Sequence, residues 1–413
     1  MKSVQLRTMC GMVRAKPPPR RRRLLVSALV LVGIAGVALA MAFFTGGGGT
    51  RAAAAVPFHP LVGTFLPDDT RLQECGDVGC FNQAFGNIAY YEGPQAAFAL
   101  VRKLYDDGAS PACHRIAHFI GAAALERNGG DISHTFAQGS PVCWSGFYHG
   151  VLERTLVSTK SYEPKVLAKA ARPLCRSAVT RATTWIAYQC LHGLGHGLMV
   201  ATGLDLPRSL AVCRRLDSAW DADACRGGVF MENIQSPFGF RSRWLRDDDP
   251  VYPCNAVAKV DKFRCYQMVT SRILPAVDDD WARAAEMCSQ VERDFVSTCF
   301  QSLGRDASSR TDRVPEETMR LCAEARSYDG EGDCIVAAAM DVVSNQASGD
   351  RAADLCGGVR KALRARCFFG VGAAMGPFRK TRAAREADCV RVAPSRELVG
   401  MCLAGARSSL PPS

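Results

Sequence analysis

Histidines are concentrated in one part of this chain. Six of its seven histidines lie between residues 114 and 196, and none follows in the remaining 217 residues. An imidazole nitrogen binds zinc, copper or iron, and it can also act as a general acid or base near neutral pH. The six are His114, His118, His134, His149, His192 and His196. Their concentration predicts a chemically active site in the first half of the chain.

A spacing of four residues recurs among these side chains. Residues four apart in sequence lie on the same face of an α-helix. The pairs with this spacing are His114 and His118, His149 and Glu153, and His192 and His196. Imidazoles that converge with a carboxylate predict a site for zinc, copper or iron.

Three of the histidines also keep a nearly constant distance from a preceding cysteine. His149 follows Cys143 by six residues, His196 follows Cys190 by six, and His118 follows its own cysteine by five. We therefore expect three successive helices to direct an imidazole to one face. The candidate metal ligands are His114, His118, His149, Glu153, His192 and His196.

Two other interpretations of the histidines remain open. They can be structural, with each ring hydrogen-bonded to a backbone carbonyl in a tight helix stack. They can also form a metal-dependent enzyme centred on His118, His149 and His196, with Glu153 as a ligand or base. The sequence has no HExxH metalloprotease helix and no CxxCH haem-attachment motif. It therefore identifies no catalytic residue by motif.

Cysteines define the elements that must position these side chains. Fourteen cysteines form seven pairs whose members recur at intervals of 33 to 41 residues. The pairs are Cys175 and Cys190, Cys213 and Cys225, Cys254 and Cys265, Cys288 and Cys299, Cys322 and Cys334, Cys356 and Cys367, and Cys389 and Cys402. A fixed period of this length is typical of one supersecondary unit stacked many times. The expected fold is all-α, an α-solenoid of stacked two-helix repeats of about 34 residues with one disulfide per repeat.

The pairing of the cysteines has two solutions. Joining the two cysteines within a pair spans 11 to 15 residues, whereas joining a second cysteine to the next first cysteine spans 22 or 23 in most units. The four earlier cysteines, Cys75, Cys80, Cys113 and Cys143, permit three connectivities. The sequence does not choose among these.

A small residue stands three positions after the second cysteine of nearly every unit, and Met268 is the exception. A glycine inside a helix costs about 1 kcal/mol of helix propensity relative to alanine, so a packing gain must offset it. We expect neighbouring helix backbones to approach closely at these positions. They are Gly146, Gly193, Gly228, Ser302, Ala337, Gly370 and Gly405.

Helix pairs of this length resemble tetratricopeptide repeats. The cysteine on each helix, with runs such as Cys299-Phe-Gln-Ser-Leu-Gly, is more similar to the Sel1-type repeats of the Helicobacter cysteine-rich proteins. The resemblance covers residues 75–406 as architecture. It implies an exported α-solenoid with one disulfide per hairpin that serves as an interaction scaffold, and it carries no catalytic residues to this chain.

One apolar segment precedes the repeats. Residues 24–44 are 21 uncharged residues, which at ~1.5 Å per residue reach ~32 Å and match a bilayer core of ~30 Å. Arg20–Arg23 on the N-terminal side predict that this end is cytoplasmic. The expectation is a transmembrane helix or signal anchor, cleaved or not, with a single-pass location in the cell membrane and a periplasmic or extracellular bulk.

The expected organisation follows from these segments and their charge. The basic arm carries +8 of the net charge of +11, so only +3 remains for the rest of the chain, and no nucleic-acid partner is expected. The divisions are a cytoplasmic arm at 1–23, the membrane helix at 24–44, a flexible linker at 45–72, the repeat domain at 73–406 and a tail at 407–413.

An insertion between Cys225 and Cys254 is the second candidate site. Its aromatic and arginine side chains are of the types that anchor protein interfaces. They are Phe238, Phe240, Arg243 and Trp244. The sequence thus predicts a membrane-anchored extracytoplasmic scaffold that binds a protein or peptide, with a histidine-based metal site. The alternatives are the metal-dependent enzyme described above and a passive structural module of the cell envelope.

Overall fold

The computed structural model describes residues 65–106, 113–157, 159, 161–235 and 241–409. Helices and turns account for the regular structure of these residues, which contain no β-strand. The α-helices in this part of the chain are α1 (Val78–Tyr91), α2 (Pro94–Asp106), α3 (Cys113–Arg127), α4 (Ile132–Ala137), α5 (Gly146–Glu153), α6 (Pro164–Ala171), α7 (Thr184–Ala201), α8 (Leu206–Cys213), α9 (Ala219–Gln235), α10 (Lys259–Tyr266), α11 (Thr270–Ala276), α12 (Trp281–Gln290), α13 (Val296–Arg310), α14 (Pro315–Ala323), α15 (Glu331–Gln346), α16 (Asp350–Gly358), α17 (Lys361–Met375), α18 (Arg382–Val392) and α19 (Arg396–Ser408). Short 3₁₀ turns occur at Leu72–Glu74, Arg172–Cys175, Arg293–Phe295, Arg326–Tyr328 and Gly376–Phe378. The predicted all-α fold is confirmed for the described residues.

The helices stack in two layers. In the inner layer, α1, α3, α5, α7 and α9 pack side by side in chain order, and α13, α15, α17 and α19 continue the same arrangement. Shorter helices form the outer layer, where α6 contacts α8 and α14 contacts α16. Each inner helix therefore has inner helices of other units as its main neighbours, as expected for a repeat array.

Each of the seven predicted units contains one disulfide, and the bond joins the two cysteines within the unit. These bonds link Cys175 to Cys190, Cys213 to Cys225, Cys254 to Cys265, Cys288 to Cys299, Cys322 to Cys334, Cys356 to Cys367, and Cys389 to Cys402. The four earlier cysteines pair as Cys75 with Cys80 and Cys113 with Cys143. One disulfide per repeat is thus confirmed, and each bond fixes an outer segment onto its inner helix.

The unit that contains Cys254 departs from the two-helix pattern. Residues 241–258 form turns in place of an outer helix, and the inner helix is divided into α10 and α11. Pro250 and Pro253 cannot continue a helix, and Asp247–Asp249 favour turns by hydrogen-bonding nearby backbone.

Glycines allow the inner helices to approach one another closely. A Cβ atom added to Gly228 would lie 1.8 Å from the carbonyl oxygen of His192, and one added to Gly150 would lie 1.9 Å from that of His118. A side chain at either position would clash with the neighbouring backbone. The packing role expected for Gly146, Gly193 and Gly228 is therefore present, since a Cβ at each would meet backbone atoms within 3 Å.

The array also curves back on itself. The indole Nε1 of Trp144 donates to Asp341 Oδ1 at 2.7 Å, although the two residues are 197 positions apart. The ring of Trp185 stacks on that of Phe378 with centroids 4.6 Å apart. Early and late units of the array are therefore in direct contact.

The predicted location in the cell membrane is wrong. Among the described residues, no helix is long and apolar enough to cross a bilayer. The longest of them, α7, has 18 residues; this gives ~27 Å against a bilayer core of ~30 Å. The segment 24–44 on which the prediction rested lies outside the described residues, as do the arm 1–23 and most of the linker 45–72.

Candidate metal centre

Four successive inner helices contribute polar side chains to one cluster. All of these side chains except the partly exposed His114 have at most 5% of their surface exposed. We call the set the histidine cluster; it consists of His114 and His118 on α3, His149 and Glu153 on α5, His192 and His196 on α7, and Glu232 on α9. The stacking of α3, α5, α7 and α9 thus brings together residues that are up to 118 positions apart.

Ring contacts link the five imidazoles into one connected group. Neighbouring ring centroids lie between 4.6 Å, for His114 and His118, and 5.6 Å, for His118 and His196. The His149 ring is central, at 4.7 Å from His196 and 4.8 Å from His192. A hydrophobic repeat core has no requirement for such a group of polar rings.

One half of the cluster is a chain of short polar contacts. His114 Nδ1 donates to the carbonyl oxygen of Cys143 at 2.8 Å. His114 Nε2 and His118 Nε2 face each other at 3.0 Å, and His118 Nδ1 lies 2.5 Å from Glu153 Oε1. Both rings therefore have every nitrogen engaged.

The number of protons shared among these three contacts determines whether they can all be hydrogen bonds. Three contacts need one proton each, but two neutral imidazoles carry only two. Burial lowers the pKa of His114 and of His118 to about 3, so neither ring takes up an extra proton near neutrality. Burial raises the pKa of Glu153 to about 7, so this carboxyl group supplies the third proton in the metal-free protein below that pH. A cation between the two Nε2 atoms would replace it.

The other half of the cluster has too few hydrogen-bond partners. His196 Nδ1 donates to Glu232 Oε2 at 2.8 Å, and His149 Nε2 donates to Gln189 Oε1 at 3.1 Å. Among the described residues, the remaining polar atoms of this half have no hydrogen-bond partner. These atoms are His149 Nδ1, His192 Nδ1, His192 Nε2, His196 Nε2 and Glu232 Oε1.

Four of these five atoms can donate an electron pair, since one of the two nitrogens of neutral His192 carries the ring proton. The ring proton of His196 is held on Nδ1 by the Glu232 carboxylate, which leaves a lone pair on Nε2. The same reasoning leaves a lone pair on His149 Nδ1. Burial lowers the pKa of His149 and of His192 well below the ordinary value of 6.5, so both rings stay neutral. Neutral imidazoles are the form that binds metal ions.

The donor atoms fall into three overlapping trios. Within each trio, the ligand atoms lie within 4.8 Å of one another. The trios are His114 with His118 and His149, His149 with His192 and His196, and Glu153 with His196 and Glu232. Each is an imidazole or mixed imidazole and carboxylate set of the kind that zinc, copper and iron accept.

A strained turn lies at the exposed side of the cluster. Cys143, Trp144 and Ser145 have φ values of 61°, 52° and 63°, which is a left-handed conformation that costs roughly 1–2 kcal/mol per residue. The turn places the Trp144 ring 6.4 Å from that of His114 and also 4.0 Å from the guanidinium of Arg313. Such strain is typical of functional sites.

The structure brings all six of the predicted ligands together, and it adds two residues that the sequence analysis missed. Glu232 follows Cys225 by seven residues, close to the six-residue offset of His149 and His196, and this offset was a usable signal. Gln189 gave none. His134 lies outside the cluster on α4, where its Nε2 contacts Gln138.

The second candidate site is only partly described. Phe238 and Phe240 lie outside the described residues. Arg243 forms an ion pair with Asp205 at 3.6 Å, and its guanidinium lies 5.4 Å from the centre of the Trp244 ring. These two side chains make contacts within the chain, and partner binding by this loop stays a prediction.

A cavity of about 480 Å³ lies beside α1, lined by residues that include Asp68, Asn87 and Tyr91. It shares no residue with the histidine cluster. Its lining also lacks histidine and cysteine, so it offers none of the imidazole ligands of the cluster.

Comparison with family models, with curated proteins and with solved structures finds no match to this chain. The resemblance to Sel1-type repeats therefore holds as a helical repeat architecture with paired cysteines and no further.

Proposed function

We propose that this helical repeat protein binds a transition-metal ion in the histidine cluster. One observation supports the proposal above all: five buried polar atoms with no hydrogen-bond partner converge at one place. A buried polar atom without a partner costs about 1–3 kcal/mol. A cation that accepts the lone pairs of several such atoms removes that cost.

The donor set indicates the kind of metal. Cysteine thiolates are not available in the repeats, because the cysteines of the described residues are paired in disulfides. Imidazole and carboxylate donors favour zinc, copper(II) or iron, and disfavour copper(I), which prefers sulfur ligands. Disulfides of this number are typical of oxidising compartments, and the metal is expected to be bound there.

Metal binding is better supported than partner binding. The scaffold prediction depends on an insertion whose two phenylalanines are not described and whose Arg243 is paired within the chain. The metal prediction depends on the distances and burial of seven described side chains. Holding a protein or peptide partner stays a second prediction, and the enzyme alternative needs a substrate that nothing yet identifies.

The test is metal analysis of the purified, oxidised protein. We expect at least one zinc, copper or iron ion per chain, and we expect metal added to chelated protein to raise its unfolding temperature. A ligand at 100 times its Kd stabilises a protein by about 2.7 kcal/mol. The variant His149→Ala should lose the effect, and His134→Ala, which changes a histidine outside the cluster, should keep it. A protein that carries no metal and gains no stability from any of the three metals would refute the proposal.

A further inference from the structure

The seven side chains of the histidine cluster are too spread out for one ion. Two atoms bonded to the same ion at ~2.0–2.1 Å are at most ~4.2 Å apart. The donor atoms form overlapping trios that share His149 or His196, and the trio that contains His114 and His118 does not include His192, His196 or Glu232. A single ion in either half therefore leaves the other half as it is.

The half on α3 has its own set of candidate metal ligands, His114, His118 and His149. His114 Nε2 and His118 Nε2 face each other at 3.0 Å, with Nδ1 of each ring already engaged by Cys143 and Glu153. Two lone pairs at this distance repel unless a proton or a metal ion lies between them. Bonds of ~2.0–2.1 Å from one ion to both nitrogens fit the separation.

The half on α7 and α9 has a separate need. His192 has no partner at either nitrogen, and His196 Nε2 and Glu232 Oε1 have none. None of these atoms contacts His114, and an ion bound between His114 and His118 would leave all of them without a partner. The two halves thus offer separate sets of donor atoms, one on α3 and the other on α7 and α9.

We infer that the histidine cluster holds two metal ions, one bound by His114 and His118 and the other by His192, His196 and Glu232. This inference rests on the proposed function. His149 lies between the two positions, with its ring 5.3 Å from His114 and 4.8 Å from His192, and it belongs to both histidine trios. Glu153 contacts His118 and also belongs to the trio of His196 and Glu232.

Charge determines what accompanies the second ion. Glu153 and Glu232 together supply two negative charges, which balance one divalent ion in this buried site. A second divalent ion leaves an excess of two positive charges, whose burial is costly. The pair of ions must therefore bring small anions with it. Hydroxide formed from metal-bound water, with its proton released to solvent, would supply this charge where no other anion does.

The first experiment counts the ions. Chelated protein is titrated with zinc alone, and bound zinc is measured after removal of the excess. Two ions per chain are expected in the wild type and in the control His134→Ala. One ion is expected in His114→Ala and one in His192→Ala. One ion in the wild type overturns the two-ion inference and leaves the proposed function intact, whereas none overturns both.

The second experiment tests whether the two positions are close. With copper(II) alone, the wild type should give an electron paramagnetic resonance spectrum broadened by coupling between two ions. His114→Ala and His192→Ala should each give the spectrum of an isolated ion. A circular dichroism spectrum with the helical signal of the wild type shows that a variant is folded. Where an alanine variant does not fold, the glutamine variant at the same position is used instead. Two uncoupled copper spectra in the wild type would overturn the inference.

Discussion

The close contact between α3 and α5 at Gly150 should set the geometry of the metal ligands, so that replacing one hydrogen atom of this glycine by a methyl group weakens metal binding. Gly150 on α5 lies so close to α3 that a Cβ at this position would be 1.9 Å from the carbonyl oxygen of His118. An ordinary contact begins at 3.4 Å, so in Gly150→Ala the two helices must separate by about 1.5 Å locally. Overpacking of this kind typically costs about 1–3 kcal/mol.

The same separation should disable the site. Ligand distances in a metal site tolerate about ±0.2 Å, which is far less than the displacement imposed by the new methyl group. His118 is on one side of the contact and His149, adjacent to Gly150, is on the other. We expect Gly150→Ala to bind metal at least tenfold more weakly than the wild type.

The chain offers a matched control for this substitution. A Cβ on Gly304 of α13 would also lie 1.9 Å from a carbonyl oxygen, that of Cys334, but in units without histidine. Urea unfolding of the metal-free proteins should show a similar loss of stability in both variants. Competition with a colorimetric chelator should show weakened metal binding only in Gly150→Ala. Unchanged metal affinity in Gly150→Ala would refute the argument that this helix contact sets the ligand geometry.

Three further predictions concern pH, closure and the disulfides. Acidifying the metal-free protein from pH 6.5 towards 3 should lower its free energy of unfolding, because four imidazoles of the cluster have a lowered pKa and stay neutral while the unfolded chain takes up protons. Glu153, whose pKa is raised to about 7, opposes this loss of stability between pH 7 and 4.5, but it is one group against four. Urea unfolding at pH 7 and pH 5 measures the net effect, and greater stability at pH 5 would contradict the prediction. Trp144→Phe removes the donor to the buried Asp341 and should cost about 1–3 kcal/mol in the same assay without changing the metal content; unaltered stability would show that the contact contributes nothing. Replacing Cys389 and Cys402 together by Ala should cost about 3 kcal/mol without changing the metal content, since both residues belong to the last unit and neither is part of the histidine cluster. Lost metal binding would count against independent units.

The cysteine period was enough to predict the repeat architecture. A disulfide across a helix hairpin requires both cysteines to face each other, so a regular spacing of pairs reports a regular spacing of hairpins. The prediction of two helices was wrong for the unit at Cys254, because proline and acidic turn residues there favour turns in place of the outer helix. The membrane prediction relied on the composition of residues 24–44 alone, and none of the helices in the described residues is long and apolar enough to cross a bilayer.

The candidate site was predicted in part. The shared offset from the cysteines grouped the histidines on one face, but the offset of Glu232 is seven, and unlike Glu153 it has no histidine four residues away. The contact of Trp144 with Asp341 had no sequence signal. It depends on small rotations between units that accumulate along the array, and these are set by packing and not by the repeat period.

The disulfides supply enough stability for the fold to persist without the metal. In the chain-entropy model, each bridge of 11 to 15 residues contributes ~3 kcal/mol. Several such bridges offset the ~1–3 kcal/mol cost of each unpartnered polar atom in the cluster. A small zinc domain without such bridges unfolds when its metal is removed, because metal binding supplies its folding free energy.

We therefore expect removal of the metal by a chelator to leave this fold intact. The far-ultraviolet circular dichroism of the chelated protein should match that of the metal-bound protein, and added metal should rebind fully. The unfolding temperature should fall on chelation, since only the folded state binds metal. A chelated protein that loses its helical signal while its disulfides stay oxidised would show that the metal, and not the disulfides, holds α3, α5, α7 and α9 together.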